Sequence, residues 1–267
     1  MAKTASLVFH CFGEDSYINR LAQETVPVHH ALTGYDKTVL LRHETDIGKF
    51  ELSEKAEKKA TVLDIPTPAN LAKYLNELGD EGYVVDLYIF SHGWSDRFRA
   101  SKGTYGDNTS ISGTWLEANV NPLKLRMVWG TNCYGETLSD TWAKLGARSS
   151  SGSRFVNFYP TRFTRFVKAW NSGATFEEAA AGSSTAIQRT GVHLYLIFDA
   201  MAQLKKWNGK IWQAPTVLGK TAAAERYISE CWGAENFVPG KSGKQSINHA
   251  SEIVIAGDAK VTKDTVW

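Results

Sequence analysis

Residues 83–90 read Tyr-Val-Val-Asp-Leu-Tyr-Ile-Phe, an almost unbroken run of β-branched and aromatic side chains. A strand with one wet face alternates polar and apolar residues. A run like this one fits a strand covered on both faces, as in a parallel sheet between two helix layers. The rest of the chain must then supply parallel partners and helices for both faces.

It offers both. Ala5–Phe12, Lys37–Arg42, Ala60–Ile65, Leu123–Trp129, Arg154–Tyr159 and Ser251–Ala256 are strand candidates. Helical spacing marks Pro68–Leu78, where Leu71, Tyr74, Leu75 and Leu78 recur at three and four residues; Thr67 suits the N-cap and Pro68 the first turn. Ser112–Val120, Thr137–Leu145, Phe163–Trp170 and Phe176–Gln188 read as further helices, and Asp15–Leu32 as a helix disturbed by Pro27. Arg97–Asp107 reads as a hairpin, with turn glycines at 103 and 106. This alternation predicts an α/β fold of three layers around a mostly parallel central sheet. At 267 residues and 43% hydrophobic content the chain can bury a sizeable core. Residues 1–190 are expected to form that core, with 191–267 as an extension of the same domain. The Ser149–Ser153 and Pro239–Lys244 segments read as surface loops rather than linkers between domains.

Several function classes are disfavoured. A net charge of +2 is too even to imply a nucleic-acid or anionic-membrane partner. No stretch approaches 18 apolar residues, and the first residues are too polar for a signal peptide, so a cytoplasmic location is expected. Cys11, Cys133 and Cys231 are too few and too scattered for a disulfide framework. There is no CxxC pair and no HExxH, and His29, His30 and His43 lack a metal-ligand spacing, so neither a metal nor a cofactor is expected. Ala214–Thr221 resembles a relaxed phosphate loop, but Pro215 and Val217 oppose wrapping an anion. No GxSxG elbow is present.

Two strand ends carry chemistry. The run to Phe90 finishes in Ser91-His92-Gly93, and the run to Gly130 finishes in Asn132-Cys133-Tyr134-Gly135. Open α/β sheets bind ligands outside the carboxyl ends of their strands. On neighbouring strands, His92 and Cys133 would face one crevice. A thiol nucleophile needs a group to take its proton and donors for the charge that develops on the substrate carbonyl. His92 can do the first; the backbone N–H groups of Gly93 and Cys133 can do the second. A helix starting near Thr137 would lower the thiol pKa if it points at Cys133. Trp94 and Trp129 flank the two motifs and are candidate pocket walls.

Apolar strand, His-Gly, hairpin, apolar strand, then Cys with a nearby Gly resembles the caspase-like cysteine peptidases. That superfamily includes caspases, metacaspases, legumains, gingipains, clostripain-like enzymes and separases. The resemblance covers about Ala5 to Gln188. It implies a caspase-like fold and an endopeptidase acting on protein or peptide through an acyl-thioester. It implies His92 as general acid and base, Cys133 as nucleophile, and an oxyanion hole from Gly93 and Cys133. The Gln-Ala-Cys-x-Gly pentapeptide of caspases is replaced by Thr131-Asn132-Cys133-Tyr134-Gly135, which weakens any claim to aspartate specificity. In the superfamily the end of the first strand lines the pocket before the scissile bond. Here Glu14 and Asp15 would suit an Arg or Lys there, though acids equally favour a helix N-terminus. Glu136 invites the same two readings. The Ser149–Ser153 loop, between Arg148 and Arg154, is a candidate self-processing site or a plain loop. The alternative function is a catalytically silent domain of this fold used for binding or assembly.

Overall fold

A computed structural model of the chain describes residues 2–11, 28–43, 55–103, 108–130, 132–154, 160–183 and 253–267. In chain order the elements begin with β1 (Thr4–Cys11), β2 (Lys37–Arg42), β3 (Val62–Asp64), α1 (Pro68–Asp80) and β4 (Val84–Ser91). A hairpin region follows, with β5 (Gly93–Trp94), β6 (Arg97–Ser101) and β7 (Asn108–Ser112), then α2 (Gly113–Asn119) and β8 (Leu125–Gly130). A 3-10 turn at Gly135–Leu138 leads into α3 (Ser139–Lys144), β9 (Ala147–Ser153), α4 (Pro160–Asn171), α5 (Phe176–Ser183) and β10 (Ile253–Gly257).

The main sheet has seven strands in the order β10-β9-β8-β4-β1-β2-β3. All neighbours are parallel except the β9–β10 pair. The chain runs outward from β1 to β3, returns past β1 to β4, and continues to β8 and β9. Strand order therefore reverses between β1 and β4, next to the strand that precedes Cys133.

The apolar run behaves as its composition requires. Every residue of β4 is buried. Val85, Leu87 and Ile89 enter one core with Leu71, Leu75 and Leu78 of α1, Leu116 of α2 and Trp142 of α3. Tyr88 and Phe90 enter the opposite core with Phe166, Val167 and Trp170 of α4 and Phe176 of α5. The fold is α/β, with helices on both faces of the sheet. Helix α1 begins as its sequence predicts: the Thr67 hydroxyl accepts the Asn70 N–H, and Pro68 fills the first turn. Ser112 caps α2 in the same way through the Trp115 N–H.

Asp86 is the one acid in this run, and it is fully buried. Its carboxylate accepts Nε and Nη2 of Arg126 at 2.8 Å each, the Tyr35 hydroxyl at 2.6 Å and Trp170 Nε1 at 2.9 Å. Arg126 Nη1 donates to the Lys263 carbonyl. The Lys263 ammonium donates to Thr33 O at 2.8 Å and to Asn171 Oδ1 at 2.6 Å, and burial pushes its pKa down to about 8. Burial and then the Asp86 charge hold the Tyr35 and Tyr88 hydroxyls well above their ordinary pKa. A buried carboxylate is tolerated only when paired and hydrogen-bonded, and Asp86 is both.

Two expectations are corrected. Ser149–Ser153 is no surface loop. It is the buried part of β9, laddered between β8 and β10, and so it is no site for self-cleavage. Its small residues answer to crowding. A Cβ on Gly152 would collide with the backbone of Gly135 and Glu136. The strand expected over Arg154–Tyr159 falls on residues 155–159, which lie outside the described residues. The helix expected from Thr137 begins as the 3-10 turn and becomes α-helical only at Ser139. The phosphate-loop-like segment, Cys231 and the Pro239–Lys244 segment also lie outside the described residues. No helix among the described residues is long and apolar enough to cross a membrane.

Candidate active site

β4 and β8 are hydrogen-bonded neighbours running the same way, so His92 and Cys133 follow adjacent carboxyl ends. Glycine lets the two turns meet. A Cβ on Gly93 would clash with the Cys133 carbonyl oxygen and stand 2.8 Å from Asn132 Cβ. Only a residue without a side chain permits that approach.

Three features fix the Cys133 turn. Tyr134 takes the left-handed conformation, φ 56°, which turns the chain sharply after the thiol. Gly135 N–H donates to Asn132 O at 3.2 Å, and Thr137 N–H to Tyr134 O at 3.0 Å. The Thr137 hydroxyl donates to Tyr134 O and accepts the Asp96 N–H, each at 2.8 Å. Thr137 thereby ties the cysteine turn to the β5–β6 turn. That turn is the two-residue kind, Ser95-Asp96, with Asp96 at φ 63°. Asn132 is 2% exposed, and its amide nests against Gly93, Gly130 and Gly135. Its buried Nδ2 has no hydrogen-bond partner among the described residues.

The histidine turn is held from the other side. Arg99 N–H donates to His92 O at 2.8 Å, and Ser91 Oγ donates to Arg99 O at 2.7 Å. With His92 and Arg99 bonded in this way, the next pair along, Gly93 and Phe98, is of the non-hydrogen-bonded kind. The Gly93 N–H is therefore directed away from β6. Burial, and then the Arg99 charge, push the His92 imidazole down to about 4. It is neutral near pH 7 and able to accept a proton. Cys133 is a half-buried thiol that is not in a disulfide. The Tyr134 hydroxyl is held above its ordinary pKa by burial and by the thiol next to it.

An open groove of about 910 Å³ adjoins these turns, lined by Trp94, Arg97, Arg99, Thr109, Ser110 and Tyr134. Among the flanking tryptophans, Trp94 is half exposed and lines it. Trp129 is corrected: it is wholly buried in the opposite core, stacked on Phe166 at 3.8 Å. It points to the helix layer because the β8 residues beside it, Val128 and Gly130, face the other way. Glu136 is half-buried and pairs with Arg154 at 3.3 Å, which offsets its charge. Cys11 ends β1 in register with Ser91 but is 1% exposed and belongs to the core. Glu14 and Asp15 lie outside the described residues. The sequence reading missed Asn132, Thr137 and the two arginines of β6. The arginines carried a signal, the period-two alternation Arg97-Phe98-Arg99-Ala100.

No protein-family description matches this chain. No curated protein matches it. Among solved structures, a chain described as "Structure of Protease" overlaps it at 11% identity and a TM-score of 0.39, over 96% of this chain and 48% of that one. The present chain thus spans about half the length of that structure, and a likeness so loose carries no argument about activity.

Proposed function

We propose that the chain is a cysteine peptidase of caspase-like type acting on protein or peptide. The observation that carries this reading is the contact between the His92-Gly93 and Asn132-Cys133 turns at adjacent strand ends. Cys133 Sγ attacks the scissile carbonyl carbon while its proton passes to the neutral His92 imidazole. The N–H groups of Gly93 and Cys133 receive the oxyanion. The tetrahedral adduct collapses, the C–N bond breaks, and His92 returns the proton to the leaving amine. Water, deprotonated by His92, then cleaves the acyl-thioester and restores the thiol. A thiol nucleophile that must stay reduced fits a reducing, cytoplasm-like setting.

A thiol-reactive peptide probe tests the dyad. Cys133 is expected to label while buried Cys11 does not, and His92→Ala should slow labelling by about 100-fold or more. Equal, sluggish labelling of all three cysteines, unchanged in His92→Ala, would instead mean a silent scaffold used for binding.

The pH dependence follows from the buried imidazole. His92 loses its ability to accept a proton as pH falls through its own pKa. With an uncharged substrate, the acid limb of kcat/KM should lie near 4 rather than near 6.5. A limb at 6.5 or above would mean that His92 is solvated.

A further inference from the structure

The hairpin after His92 has two unlike faces. Phe98, Ala100 and Ile111 point into the core and are fully buried. The register sets Trp94 opposite Arg97 and Arg99 opposite Ser110, so these four share the other face. That face lines the groove, together with Tyr134, the residue after the thiol. Among the described residues, the charged side chains lining the groove are Arg97 and Arg99. Arg97 is exposed, and Trp94 is one of only four large apolar side chains exposed among the described residues. Two arginines two residues apart on one strand have Cα atoms roughly 6–7 Å apart along it, the repeat of side chains on one face of an extended peptide.

We propose that this face binds an extended peptide bearing Asp or Glu on the leaving-group side of the scissile bond. The inference rests on the peptidase reading for its placement. His92 must reach the leaving amine, and the strands that leave His92 build this groove, so the segment following that amine runs along it. Arg97 and Arg99 receive the carboxylates as charge-assisted hydrogen bonds, and Trp94 packs on the aliphatic part of the segment. Arg99 is next to the site: its N–H donates to His92 O at 2.8 Å, and its charge lowers the His92 pKa.

The test uses quenched peptides that differ only by Glu or Gln at the first three positions after the scissile bond. The Glu peptides should be cleaved with kcat/KM about tenfold higher, an advantage that high salt removes. Arg97→Glu should invert the preference toward Lys at the same positions. Exposed Arg97 makes this variant one that folds. Binding is read separately with Cys133→Ala by anisotropy of the same labelled peptides. If Cys133→Ala prefers Glu over Gln while the wild type cleaves neither, the acidic subsite stands and the peptidase reading falls. If the wild type cleaves Glu and Gln peptides equally, or Arg97→Glu leaves the preference unchanged, the subsite is overturned while the peptidase reading stands. A preference confined to acids before the scissile bond overturns it as well.

Discussion

Asp86→Asn is expected to destabilise the fold by about 3–5 kcal/mol, the cost of leaving a buried cation without its partner. Arg126 is 2% exposed and donates twice to this carboxylate. An amide cannot replace it, since one oxygen becomes a donor facing donors. A loss of this size is a large share of the roughly 5–15 kcal/mol that holds a typical domain. Urea unfolding would read it as a lower midpoint at constant slope. The double change Asp86→Leu with Arg126→Met should recover part of the loss. Recovery is incomplete because Tyr35 and Trp170 Nε1 then lose their acceptor. Asp86 lies six residues before His92, about 20 Å along the strand at the usual rise per residue. The folded fraction of Asp86→Asn should therefore label at Cys133 at the wild-type rate. A stability within 0.5 kcal/mol of wild type would show that the network does not hold the sheet to the C-terminal segment.

The parts of the fold that could be read from sequence are those where burial acts alone. The run through β4 declares itself because both faces are covered, and α1 because its cap, proline and apolar spacing agree. β9 does not, because burial there competes with crowding. Ser149–Ser153 is as buried as β4, yet its side chains must be small where the cysteine turn presses on Gly152. Small and polar residues in a row look like a loop, and the contact that selects them is between segments 17 positions apart, Gly135 and Gly152. No local pattern reports such a contact.

The candidate site divides along the same line. His92 and Cys133 were legible because strand ends are where chemistry sits in an open α/β sheet. Trp129 was misassigned because proximity to the motif in sequence says nothing about which face of β8 it takes. Its partner choice was set by Phe166, which meets it across the helix layer. Thr137 and Asn132 stayed invisible for a different reason. They act through the shape of the turn, the first by joining it to the Asp96 backbone and the second by filling the space among three glycines.

Gly93→Ala offers the most direct trial of that shape. The added methyl meets the Cys133 carbonyl and Asn132 Cβ, neither of which is the flexible end of a side chain, so one turn must move relative to the other. Misplacement by about 1 Å can cost on the order of 100-fold in rate, and a drop of at least that size in kcat/KM is expected. The variant should also label poorly with the peptide probe, which needs the oxyanion donors in place. Iodoacetamide needs no such geometry and should still reach the half-buried thiol. Cys11, at 1% exposure, reports on the fold in the same experiment. If it remains unlabelled, the loss comes from the displaced turn; if it labels, the protein has opened, and Asn132→Gly, which removes the Cβ that the new methyl meets, should restore part of the protection in the Gly93→Ala background. Peptide turnover within threefold of wild type in a closed Gly93→Ala protein would mean that the approach of the two turns does not govern the chemistry.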